Sequence, residues 1–220
     1  MKQTIQPDSV PPGDKPMFTF VHPYIHKETT VLDIGCADCS FISLFPSLNK
    51  KNYMGIEQQK KLASLATQKE YHVLCMNIER KDPAFKKKFS VILAKDVLEH
   101  FEHPDKVLRK IYSSLTDNGD FFLSVPSELS LLIWDDYTHK RGFSPRALRE
   151  LLTNNGFTII QLGKDRSLFH PKRAFRYWLS LSLFQKFTGL DFLTQNYLVH
   201  AKKRENVNNS VISYKKLLSP

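Results

Sequence analysis

The sequence predicts one α/β domain built on a mostly parallel sheet with helices on both faces. Two observations predict it. Seven β-rich runs alternate with helical patterns along the chain, and such alternation is what parallel strands need, because each return crosses over through a helix. The chain also has 220 residues, 41% of them hydrophobic and 12% aromatic, enough for one sizeable core and too few for two large domains.

The runs are Thr30–Ile34, Asn52–Glu57, His72–Asn77, Ser90–Ala94, Asp120–Val125, Thr158–Leu162 and Tyr197–Ala201. Helical patterns fall at about 40–47, 58–69, 103–116 and 144–155. The last opens with Ser144-Pro145, a capping residue before a first-turn proline. Asn118-Gly119 and Asn155-Gly156 supply stops after the last two helices. Residues 1–16, polar and proline-rich, and 205–220, polar with weak periodicity, read as flexible tails. That leaves 17–204 as the folded domain. Within it, residues 164–194 break the alternation with a stretch dense in Phe, Trp, Leu and basic residues. It is too long for a hairpin connection and reads as a helical insertion over one rim of the sheet, with Lys172, Arg173 and Arg176 clustered at its start.

The 32 basic and 22 acidic residues give a net charge of +10. Residues 1–160 carry 21 basic and 19 acidic side chains, and 161–220 carry 11 and 3. The basic character belongs to the last quarter, where it suits phosphate, an anionic lipid surface or an acidic substrate. The N-terminal segment has no apolar core. The longest uncharged apolar stretch, Tyr177–Gln185, is far short of the ~20 residues of a membrane-spanning helix. Cys36, Cys39 and Cys75 are an odd count that fits a reducing compartment. The chain therefore reads as cytoplasmic, with membrane-surface association open through 164–194. Cys36 and Cys39 form C-x-x-C without a second Cys/His pair nearby, so no metal site is expected there or elsewhere.

In an open parallel sheet, ligands bind beyond the carboxyl ends of the strands. There Val31-Leu32-Asp33-Ile34-Gly35-Cys36-Ala37-Asp38-Cys39 runs from an apolar strand through an acid into a glycine turn. About 20 residues on, the second strand ends at Glu57, where a carboxylate meets ribose hydroxyls in nucleoside sites.

These segments, together with Asp96-Val97-Leu98-Glu99-His100 and His103-Pro104, resemble the class I S-adenosylmethionine-dependent methyltransferases, in particular the branch of ubiquinone-biosynthesis-type and related small-molecule enzymes. The likeness covers roughly residues 28–162. It implies a Rossmann-like, seven-stranded sheet whose last strand, here the run Tyr197–Ala201, is antiparallel. It further implies that Asp33, Gly35, Cys36 and Ala37 belong to the loop holding the methionine part of the cofactor, and that Glu57 accepts from the ribose. Asn77, where the family usually has Asp, and Ile78 would lie beside the adenine, and Asp96 would border the amino-acid end. The family's three alternate glycines are here Gly35, Ala37 and Cys39. Cys39 would be strained by of order 1 kcal/mol if its φ is positive.

Methyl transfer needs the nucleophile held close to the methyl, and a base only where the nucleophile must lose a proton. His100 and His139 are the candidate bases, with Asp135 and Asp136 placed to orient or tune His139. The chain has Ala94-Lys95-Asp96-Val97 where amino-group methyltransferases typically carry Asn-Pro-Pro-aromatic, and no cysteine sits where a pyrimidine-carbon enzyme needs its nucleophile. Methylation of oxygen on a small-molecule, lipid-linked or glycan acceptor follows by elimination. An RNA methyltransferase, or a nucleic-acid binder that has lost catalysis, is the alternative, with the basic tail tracking phosphates. A nicotinamide dehydrogenase leaves Asp96–His100 without a role.

Overall fold

A computed structural model describes residues 9–83, 85, 88–130, 133–166 and 194–204. The strands are β1 (Val31–Ile34), β2 (Tyr53–Glu57), β3 (Val73–Cys75), β4 (Phe89–Lys95), β5 (Leu115–Pro126), β6 (Phe157–Asp165) and β7 (Asn196–Lys203). They form one sheet in the order β3-β2-β1-β4-β5-β7-β6. All pairs from β3 to β5 are parallel, and β7 lies antiparallel between β5 and β6. The seven-stranded architecture with its antiparallel last strand is therefore as expected.

Side chains alternate between the faces, as strand geometry requires. Along β4, Val91 and Leu93 join one core, and Ile92 and Ala94 the other; along β5, Phe122 joins the first, and Phe121 and Leu123 the second. The first core is closed by α1 (Lys15–Val21) through Met17, Phe18 and Val21, and by Ala66 of α2 (Lys60–Gln68). The second is closed by α3 (Pro104–Ser114) and α4 (Pro145–Asn154) through Val107, Leu108, Ile111, Leu148 and Leu152. Ser144 caps α4 by accepting from Ala147 N–H at 3.2 Å, and Gly156 follows at φ +89°.

Several boundaries differ from those read in the sequence. The tail at 1–16 is folded from residue 9 onward: Val10 is buried, and α1 starts at Lys15 with Pro16 in its first turn. A proline that resembled a loop marker is thus a helix starter. The pattern at 40–47 yields only a short 3₁₀ turn, Ile42–Leu44. Asn118-Gly119 does not stop α3, which ends at Ser114; it lies in the register shift of β5 against β4, between Phe89↔Leu115 and Val91↔Asp120. Of the expected insertion at 164–194, Lys164 and Asp165 belong to β6, and 167–193 lie outside the described residues. So do residues 1–8 and 205–220. No helix among the described residues is long and apolar enough to cross a membrane.

Candidate active site

The chain runs outward from β1 to β2 and β3 on one side and from β4 to β5 on the other, so the strand order reverses between β1 and β4. That reversal opens the crevice where ligands bind in such sheets. The turn after β1 holds positive φ at Gly35 (72°), Ala37 (49°) and Cys39 (63°). All three family glycine positions are thus left-handed here, and two are occupied by residues with a Cβ. The condition for strain at Cys39 is met.

The turn is stitched to β2. Gly35 and Cys36 N–H groups both donate to the Ile56 carbonyl, at 2.8 and 3.1 Å. Cys36 Sγ fills the space over Gly55, where a Cβ would stand 2.5 Å away. Glu57 is buried, and its two oxygens accept one backbone N–H each, from Ala37 at 3.0 Å and Gln59 at 2.7 Å. Each oxygen keeps a lone pair for a further donor. A ribose diol offers two such donors, so Glu57 fits the role the resemblance implies.

Beneath the turn, Tyr53 Oη donates to Asp33 Oδ2 at 3.1 Å and stands 3.2 Å from Cys39 Sγ. Burial pushes the Asp33 carboxyl up to about 7, against the opposing pull of the Tyr53 bond and Lys95. The Cys36 thiol is pushed up by its hydrogen bond to Cys39 and by burial. Asp33 and Cys36 therefore support the turn from below, both being almost fully buried. After β3, Asn77 Oδ1 accepts from Glu79 and Arg80 N–H groups, and its amide donates to Gln58 Oε1. The side chain that was expected to meet an adenine edge is engaged in shaping its own turn. Ile78 beside it is buried.

Beyond β4, Asp96 has φ +49° and is fixed by three donors: Ser124 Oγ at 2.7 Å, Asn196 Nδ2 at 3.1 Å and Lys95 Nζ at 3.0 Å. Lys95 also pairs with Asp14, just before α1, at 3.3 Å. Burial alone would lower the Lys95 pKa, but Asp96 and Asp14 outweigh it and raise it. Val97 then packs on Gly35, where an added Cβ would lie 2.6 Å from Val97 Cγ2.

His100 and His139, far apart in sequence, meet with ring centroids 4.7 Å apart. The 137–141 loop is sewn to the segment after β4: Lys140 N–H donates to the Glu99 carbonyl at 3.0 Å, Arg141 donates to the Phe101 and Glu102 carbonyls, and Lys140 pairs with Glu102. His139 is oriented by the Ile133 carbonyl at 2.6 Å, with Asp136 Oδ2 3.9 Å from its Nε2. Asp135 takes no part in the contacts found for His139. Burial and the neighbouring His139 lower the His100 pKa.

The sequence reading passed over Glu99, Tyr53, Lys95 and Asp14. Glu99 is 1% exposed, and burial, with Asp96 adding to it, pushes its carboxyl up to about 8. The signal was present in its place beside His100, but its convergence with His139 depends on the loop.

A profile described as a methyltransferase domain matches residues 13–162. Solved structures with the same fold include a SAM-dependent methyltransferase from Archaeoglobus fulgidus, 18% identical, covering 86% of this chain and 94% of that one, with a TM-score of 0.65. An S-adenosylmethionine-dependent methyltransferase from Mesorhizobium loti is 12% identical, with coverages of 90% and 100% and a TM-score of 0.66. One from Clostridium acetobutylicum is 13% identical, with coverages of 90% and 94% and a TM-score of 0.63. No curated protein matches the sequence. The structural likenesses speak to the fold, and none singles out the ubiquinone-type branch. The profile spans the glycine turn, the acid ending β2 and the segment after β4, so the chain belongs to the methyltransferase-domain family, as a class I S-adenosylmethionine-dependent methyltransferase.

Proposed function

We propose that the chain methylates a hydroxyl oxygen of a small-molecule, lipid-linked or glycan acceptor. When bound, S-adenosylmethionine supplies a methyl on a positively charged sulfur; an oxygen lone pair forms the C–O bond as the C–S bond breaks, its electron pair staying on sulfur. Two acids at the ends of the strands flanking β1, Glu57 of β2 and Asp96 just beyond β4, suit a cationic cofactor.

The observation that carries the reading is the grouping of Glu99 and His100, after β4, with His139 of the 137–141 loop. A hydroxyl is a poor nucleophile until its proton is drawn off, whereas a neutral amine already has a free lone pair. The two imidazoles of this group can promote the loss of that proton, which matches the first need. The sequence Ala94-Lys95-Asp96-Val97 also lacks the element that amino-group methylation uses.

The test offers methyl-labelled cofactor with catechol, 1,2-phenylenediamine or total RNA as acceptor. Label on the catechol oxygen, with His139→Gln slowing turnover, supports the proposal. Label confined to the diamine or to RNA contradicts it.

A further inference from the structure

Glu99 and His100, after β4, and His139, from the 137–141 loop, turn ligand atoms toward one another. One ligand atom from each of Glu99, His100 and His139 lies within 4.8 Å of the other two. His139 Nδ1 is 2.6 Å from the Ile133 carbonyl. A carbonyl only accepts, so Nδ1 carries the proton and Nε2 is bare. Thr138 Oγ1 donates its single proton to Asp136 Oδ1 at 2.6 Å, so it accepts from His100 Nδ1 at 3.0 Å. His100 is thereby set in the same tautomer, with Nε2 bare.

Glu99 completes the group. Its Oε1 stands 3.9 Å from His139 Nε2, and its Oε2 is buried without a hydrogen-bond partner. A carboxylate with a structural role has partners when it is buried, and acceptor atoms turned toward one another call for a cation between them. Histidines that ligate metals are held in this manner, with the far ring nitrogen donating to a carbonyl or a polar side chain.

We propose that Glu99, His100 and His139 bind one divalent transition-metal ion, leaving coordination positions open for an oxygen of the acceptor. Two imidazoles and one carboxylate suit Zn²⁺, Mn²⁺, Fe²⁺ or Co²⁺ rather than Ca²⁺ or Mg²⁺, which prefer all-oxygen shells. Ligands about 2.0–2.1 Å from a tetrahedral ion lie about 3.3 Å apart, so the 3.9 Å pair needs to close by about half an ångström and a pair near the 4.8 Å limit by about 1.5 Å. Both histidines are only half-buried, which leaves the group open on one side. The expectation of no metal rested on the C-x-x-C pair, whose thiols serve the turn instead.

The ion's role rests on the oxygen-methylation reading. A hydroxyl held on such an ion releases its proton to solvent near neutral pH, as metal-bound water does with a pKa lowered from 15.7 to about 7. With the ion bound, the two histidines and Glu99 promote the loss of the hydroxyl proton as ligands of the ion.

The test titrates the full chain, stripped with a chelator, with Co²⁺ in the absence of cofactor and acceptor. One equivalent is expected to give visible d–d absorption, which Zn²⁺ bleaches by displacement while raising the thermal midpoint. Glu99→Gln and His139→Gln each weaken Co²⁺ binding by at least about 100-fold, beyond the 10–100-fold lost with a supporting hydrogen bond. His26→Gln, on the exposed surface, leaves it unchanged. Gln keeps the shape of Glu99 and can donate to His139 Nε2, so the fold survives the substitution and its far-ultraviolet dichroism is unaltered. No absorption at one equivalent, or binding that both variants leave intact, overturns the proposal. Such a failure leaves methyl transfer to oxygen standing. Methylation of nitrogen with Co²⁺ binding intact would instead remove the ion's role and keep the site.

Discussion

Val97 closes directly over Gly35: a Cβ on Gly35 would come within 2.6 Å of Val97 Cγ2, at a backbone φ of +72°. One contact thus joins the cofactor turn after β1 to the segment after β4 that carries Glu99 and His100. Val is stiff at χ1 and has little room to turn away. Gly35→Ala should cost about 2–4 kcal/mol, from the left-handed backbone and the overpacking together. Adding Val97→Ala should recover the overpacking part only. Urea denaturation checks both, and a neutral Gly35→Ala would show that the turn does not depend on this approach.

Ala37 and Cys39 carry the strain that glycine would relieve. At φ +49° and +63° each is penalised by about 1–2 kcal/mol, less the extra freedom glycine gives the unfolded chain. Ala37→Gly is expected to stabilise by up to about 1 kcal/mol and to keep or improve cofactor affinity. Cys39→Gly should be close to neutral, because it also removes a fully buried side chain packed on Tyr53. A fall in affinity for Ala37→Gly would make its methyl part of the binding surface.

Asp33 gives the apo protein a pH dependence of definite sign. Its carboxyl rises on folding from 3.8 to about 7, so the folded state holds the proton more tightly than the unfolded one. The resulting stability is complete below about pH 4, declines as pH rises, and is lost above pH 7. Asp33→Asn keeps an acceptor for Tyr53 and carries no charge. It should match the native protein near pH 4 and exceed it at pH 8 by about 2–4 kcal/mol, the upper figure being the full shift. Thermal midpoints across this range check it, and parallel curves would place the charge of Asp33 in contact with a compensating group.

Much of this was legible in the sequence for definite reasons. The glycine turn and Glu57 are local: a strand, a turn and the next strand end fix them within one crossover. The antiparallel last strand came from the resemblance and not from periodicity. Helix α1 was hidden because Pro11, Pro12, Gly13 and Pro16 read as a loop, although Pro16 sits in the first helical turn, where proline is tolerated. Asn118-Gly119 imitated a helix stop while serving a strand irregularity. His100 and His139 were each recognised as reactive, but their meeting with Glu99 rests on backbone bonds such as Lys140 N–H to the Glu99 carbonyl, which no spacing rule reveals.

The measurement closest to the central claim is a calorimetric titration of the full chain with S-adenosylhomocysteine, beside Glu57→Ala. Glu57 keeps one lone pair free on each oxygen, and a charge-assisted hydrogen bond contributes roughly 1.5–3 kcal/mol. Saturable one-to-one binding by the native protein, weakened about 10-fold or more in Glu57→Ala, is the predicted result. Unchanged affinity in the variant, or no binding by the native chain, would contradict the account.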